Sequence, residues 1–169
     1  MRLMNALPAR RRGSGYALLE ALIAVIVAAV GFIGAARMQT FGMKLADSGQ
    51  ARQKATLLGY QMTDRIRANQ LGFARGRYND PGAGGAVTCL ATGCSPDDLA
   101  AADVALWLAD VASQLPGGQG KVCIDSTPDD DPKASAADWK CDGVGSVIAV
   151  KVAWTDRVSS SIFVTVVRP

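Results

Sequence analysis

Histidine is missing from all 169 residues. That removes the usual general base near neutral pH, histidine-containing triads and histidine-based metal sites. Aromatic residues are sparse at 6%, and nucleophile motifs and phosphate loops are lacking. Gly82-Ala83-Gly84-Gly85 has the glycines of a dinucleotide loop without the strand before it and the helix after it that such a loop needs. With none of these parts, neither an enzyme nor a bound cofactor is expected.

What the chain does have is an uncharged run, Tyr16 to Ala36, broken only by Glu20. At a helical rise of about 1.5 Å per residue it reaches roughly 30 Å, the thickness of a bilayer's hydrocarbon core. A charge inside such a segment is costly when isolated, so Glu20 is a candidate functional residue whose partner must be found, here in another molecule. Arg2, Arg10, Arg11 and Arg12 precede the run with no acidic residue among them. The positive-inside rule then keeps the amino terminus in the cytoplasm and exports the remainder. A secretory signal peptide, with Gly34 and Ala36 as the small residues of a cleavage site, is a competing reading, but Glu20 interrupts its apolar core and the run is long. A plain uncleaved anchor explains length and orientation and leaves both Glu20 and the Gly15-Tyr16 junction without a role.

Gly15-Tyr16-Ala17-Leu18-Leu19-Glu20-Ala21-Leu22-Ile23 resembles the class III signal of type IV prepilins. The resemblance implies cleavage by a prepilin peptidase between Gly15 and Tyr16 and N-methylation of Tyr16. It also implies that Glu20 neutralises the terminal amine of a neighbouring subunit during assembly. Tyr16 departs from the Phe or Met more common at the first mature position. A buried carboxylate opposite a buried ammonium is tolerable where either alone is costly. Loss of residues 1–15 takes four of the 18 basic residues and leaves 14 against 15 acidic ones, a nearly neutral chain with no nucleic-acid footprint.

Beyond the apolar run, Ala51, Ala55, Leu58, Met62 and Ile66 recur at steps of four, three, four and four. This spacing predicts one helix from Tyr16 to about Asn69, roughly 80 Å long, with a membrane-spanning half over residues 16–36 and an amphipathic half over 37–69. The following domain can cover only the second half. Gly31, Gly34, Gly42 and Gly59 are its weak points, serving either a bend or close helix packing. Leu71 to Gly93, rich in glycine with Asn79-Asp80-Pro81, reads as a loop. Ser95 then caps a second helix, with Pro96 at its first position and Asp97 and Asp98 at the positive end of its dipole. Val104, Leu108, Val111 and Leu115 form its apolar face with Trp107 beside it, and Pro116-Gly117-Gly118 stops it.

Lys121–Asp125, Ser146–Trp154 and Ser160–Arg168 read as antiparallel strands, with a turn at Thr155-Asp156-Arg157. The fold class is therefore α+β: a long N-terminal helix packed on a small antiparallel sheet within a globular domain over residues 70–169. Cys89, Cys94, Cys123 and Cys141 all fall in the part expected to be exported, where disulfides form. Three connectivities are open, of which Cys89–Cys94 with Cys123–Cys141 is favoured. The close Cys-x-x-Cys spacing of a zinc site is absent. Asp129-Asp130-Asp131, bracketed by Pro128 and Pro132, lacks a calcium-loop pattern and reads as a solvated acidic loop, so no metal is expected.

Asp64-Arg65-Ile66-Arg67-Ala68-Asn69, taken alone, is a solvated helix end with arginines favoured by the dipole. It also resembles the end of the long helix in the PilV group of minor pilins, the type IV pilus modification proteins, and Trp107 with Leu115-Pro116-Gly117-Gly118 is similar to that group too. The resemblance implies a pilin-like fold and a minor pilin that passes through the inner membrane once, carboxyl terminus in the periplasm, before reaching the pilus at the cell surface. Its partners would be the prepilin peptidase, the major pilin, other minor pilins and a tip adhesin. Its role would be priming pilus assembly, twitching motility and adhesion. A minor pseudopilin of a type II secretion system, which shares the leader, helix and glutamate, is the alternative.

Overall fold

The computed structural model describes residues 14–81, 89, 91, 93–128, 138–155 and 160–168. Among the described residues three helices and three strands follow one another: α1 (Ser14–Ala68), α2 (Gln70–Ala74), α3 (Pro96–Gln114), β1 (Gln119–Ile124), β2 (Ile148–Thr155) and β3 (Ser160–Val167). This is the α+β arrangement expected, a long N-terminal helix with a three-stranded antiparallel sheet in the order β1-β2-β3. The residues fall into two compact units, one ending at Leu45 and the other starting at Ala46.

In the first unit the apolar side chains stay exposed. Tyr16, Leu18, Val25, Phe32 and Phe41 are all more than two-thirds exposed. α1 stays helical through Gly31, Gly34 and Gly42, around which there is open space. It is long and apolar enough to cross a membrane.

In the second unit the expected stripe is the core. Ala55, Leu58, Met62 and Ile66 are buried and pack with Val104, Trp107 and Val111 of α3 and with Val122, Val150, Val152 and Val167 of the sheet. A Cβ on Gly59 would sit 2.6 Å from Cε1 of Phe163, so at this glycine close packing against β3, and not bending, is what the structure displays. Trp107 lies at the centre of the α3 face rather than beside it: it is fully buried and its Nε1 donates to the Leu58 carbonyl at 2.9 Å, while Leu108 is only half-buried. Ser95 caps α3, its hydroxyl accepting from the Asp98 amide, with Pro96 in the first turn. The helix stops where Gly117 takes a φ of +58° and Gly118 packs so tightly that a Cβ would lie 2.2 Å from the Val111 carbonyl.

The loop expected from Leu71 to Gly93 needs correcting over its first ten residues. Asn69 ends α1 and caps α2, its Oδ1 accepting from the Gly72 amide at 3.1 Å, and Tyr78 is fully buried. The Asp80 amide donates to the Val122 carbonyl, the Ile124 amide to Asn79 Oδ1 and the Gly143 amide to the Ile124 carbonyl, so the outer edge of β1 is covered. Glycine content hid this; the fold there rests on a side-chain cap and one aromatic anchor. The turn at 156–157 and the acidic run 129–131 lie outside the described residues.

Candidate functional site

Helical geometry puts Tyr16 and Glu20 one turn apart on a single face, and Leu19, Ile23, Ala24 and Val27 surround them. The face is exposed throughout. Among the described residues Glu20 has no ion-pair partner, and the basic residues 2 and 10–12 lie outside them, as do residues 1–13 of the proposed leader. Gly15 stands in the first turn of α1 next to Tyr16. A carboxylate on an uncovered apolar helix face can do one thing well: accept a charged hydrogen bond from a cation brought by a molecule that also covers the apolar surface.

The 64–69 segment is more than a solvated end. Asp64 and Arg67 do face solvent and pair at 3.5 Å. Arg65 reaches α3 instead, its Nη1 donating to the Asp103 carbonyl at 3.3 Å while its Nη2 lies 3.8 Å from Asp110. Ile66 is fully buried. The Asn69 amide nitrogen donates to the Pro96 carbonyl at 2.7 Å and to the Tyr78 hydroxyl at 3.2 Å. That hydroxyl donates in turn to Asp103 at 2.8 Å. Burial first, and the bond to Asp103 second, push the Tyr78 phenol well above the usual tyrosine range. Arg75 and Arg77 both pair with Asp97, tying the chain after α2 to the start of α3. The pattern that singled out this segment therefore encodes a junction between α1, α2 and α3.

The four cysteines form two disulfides, Cys89–Cys94 and Cys123–Cys141, with Cα separations of 4.8 and 6.2 Å. The second bridges β1 to the segment preceding β2. Beside it is a site that reading for motifs missed. Lys151, on β2, is buried and its ammonium donates to Asp125, which is also buried, and to the Trp139 carbonyl at 2.8 Å. Asp125 further accepts from the Thr127 amide. The signal was available: Lys151 is the one charged residue in the apolar run Val147 to Trp154, as Glu20 is in Tyr16 to Ala36. A buried pair so satisfied is a structural clasp, holding Asp125 after β1 and the Trp139 carbonyl against β2.

No family model, curated protein or solved structure matches the chain, so it is from its own residues that a function must be argued.

Proposed function

We propose that the chain is a minor pilin of a type IV pilus, a subunit of the PilV group that enters the filament after a prepilin peptidase removes residues 1–15. The observation that carries this reading is Glu20, a carboxylate without an ion-pair partner among the described residues on an apolar helix face that none of those residues covers. In the inner membrane the lipid covers that face; in a filament, neighbouring helices do, and the amine freed at Tyr16 of an adjacent subunit supplies the missing cation. Glu20 then acts as a register mark, because an unneutralised carboxylate in the apolar core disfavours every other axial position.

The charge argument requires the amine, and the amine requires the cut. Intact mass of the protein from membranes with and without the peptidase tests the first step: loss of residues 1–15 only when the peptidase is present is expected, and an unchanged mass would reduce the chain to an ordinary anchored protein. Glu20→Ala tests the second. The variant is expected to insert and be cleaved but to be at least tenfold depleted from sheared pili, a loss of about 1.4 kcal/mol or more in assembly. Normal incorporation would remove the role given to Glu20, and recovery of the protein in a secretion pseudopilus instead of a pilus would turn the reading to a minor pseudopilin.

A further inference from the structure

A cleft of about 480 Å³ opens where α1, α2 and the sheet end together. The half-buried Phe73 and Ile124 make its accessible apolar floor above the buried Ile66, Ile148 and Val167, and Arg67 and Arg168 stand at its rim. None of its lining residues is acidic. Arg67 is held by the solvent-exposed Asp64 in a pair that water weakens, and Arg168 has no ion pair among the described residues. From Ala46 onward, the large apolar side chains exposed among the described residues are Leu57, Tyr60, Leu71 and Val144; Leu71 and Val144 directly follow or precede the cleft residues Gln70 and Gly145 in the chain.

An apolar floor below two guanidinium groups, Arg168 with no ion pair among the described residues and Arg67 held only by an exposed aspartate, is complementary to apolar side chains accompanied by a carboxylate. We infer that this cleft docks a segment of a partner protein, one that seats apolar side chains on the floor and turns an Asp or Glu to Arg67 and Arg168. A protein segment fits better than a free fatty acid. The walls offer the exposed polar side chains of Gln70 and Ser146 to a peptide's hydrogen-bonding groups, and the exposed Leu71 and Val144 each adjoin a cleft residue in the chain. The inference does not depend on Glu20 or on assembly into a pilus, so either can fail without the other.

Selection of displayed random peptides on the full chain in lipid nanodiscs tests it, with counter-selection on Ser146→Trp and, separately, Ala74→Trp, two exposed rim positions where an indole would fill the cleft. Both variants must first melt at the temperature of the unsubstituted protein. Enriched peptides are expected to combine apolar residues with Asp or Glu. Their affinity should fall about tenfold in the Arg67→Gln, Arg168→Gln double variant, as two rim ion pairs are lost, and should weaken with added salt. No enrichment over the filled variants, or binding indifferent to the two arginines, would overturn the proposal. So would dodecanoate displacing every selected peptide, which would make the cleft a lipid site, or a dimer abolished by the tryptophans, which would make the occupant a second copy.

Discussion

Glu20 and Asp125 are both carboxylates set among apolar residues, and what separates them is where the partner lies. Asp125 is buried with Lys151 and a backbone amide in the same chain. Glu20 sits on a helix face with no cation opposite it among the described residues. The same contrast runs through the regions that hold them. From Tyr16 to Leu45 apolar residues are placed all around the helix and stay exposed; from Ala46 onward they are confined to a stripe that the chain itself covers. A region that completes its own interactions carries stability, and a region that leaves them open is where the proposed function places association.

Substitutions that exchange these properties should have the largest effects. Asp125→Asn strands a buried ammonium and is expected to destabilise the second region by about 3–5 kcal/mol. Replacing Asp125 by Leu together with Lys151 by Met should recover most of that loss, since apolar groups of similar volume often replace a buried ion pair at no cost. Denaturant unfolding of the full chain in micelles, followed by tryptophan fluorescence, measures both. If the single and double variants are equally destabilised, the clasp acts through shape and the comparison with Glu20 fails.

Reduction of Cys123–Cys141 comes next. The residues bridged are 18 apart, and in the chain-entropy model opening such a loop costs on the order of 3 kcal/mol. The loss should appear as a lower unfolding midpoint in Cys123→Ser, Cys141→Ser, with the apolar half of α1 unchanged in helix content by circular dichroism. A fall in helix content of the first region would show that the two regions are not energetically separate.

Much of this division was legible in the sequence because both regions use helical periodicity, one by keeping it and one by lacking it. Ala55, Leu58, Met62 and Ile66 announced the covered stripe, and Ser95-Pro96-Asp97-Asp98 announced the start of α3 to the residue. Glu20 stood out as a charge without local company. Pairings across the chain were not legible. Nothing local to Asn69 states that its side chain reaches Pro96 and Tyr78, and nothing near Lys151 states that Asp125, 26 residues earlier, faces it. Such contacts depend on which strands meet, and an apolar strand containing one lysine is also a normal edge strand. The ordered path after Asn69 is hidden for a related reason, since glycine-rich composition is a weak guide where one buried tyrosine fixes the path.

Glycines offer a finer cut between the regions. Gly59→Ala gains about 1 kcal/mol of helix propensity but places a methyl 2.6 Å from the Phe163 ring, and overpacking of that kind costs typically 1–3 kcal/mol. A net loss of about 1 kcal/mol is expected. Gly31→Ala gains the same propensity and meets nothing within 4 Å, so the unfolding midpoint of the second region should not fall. Equal behaviour of the two variants would mean that α1 does not press on β3 at Gly59. Should Gly31→Ala nevertheless lower incorporation into filaments, that glycine is a contact surface for a neighbour, as an open region requires.

The smallest expected effect concerns a third carboxylate, one that is exposed and yet has its partners in the chain. Asp142 accepts from the Ser126 hydroxyl, from the Ser126 amide at 3.1 Å and from the Val144 amide at 2.8 Å. The Ser126 hydroxyl first, and the Val144 amide second, hold its carboxyl below the usual aspartate range. A carboxyl whose folded value lies below its unfolded one, about 3.9, stabilises the fold at all pH above that unfolded value, and the contribution is lost as pH falls through the folded one. The Val144 amide resonance should therefore titrate with a midpoint below about 3.9 and cease to do so in Asp142→Asn. A midpoint at or above that value would mean that these bonds do not favour the ionised form, and that a carboxylate needs a cation, as Asp125 has in Lys151, before the chain itself can hold its charge.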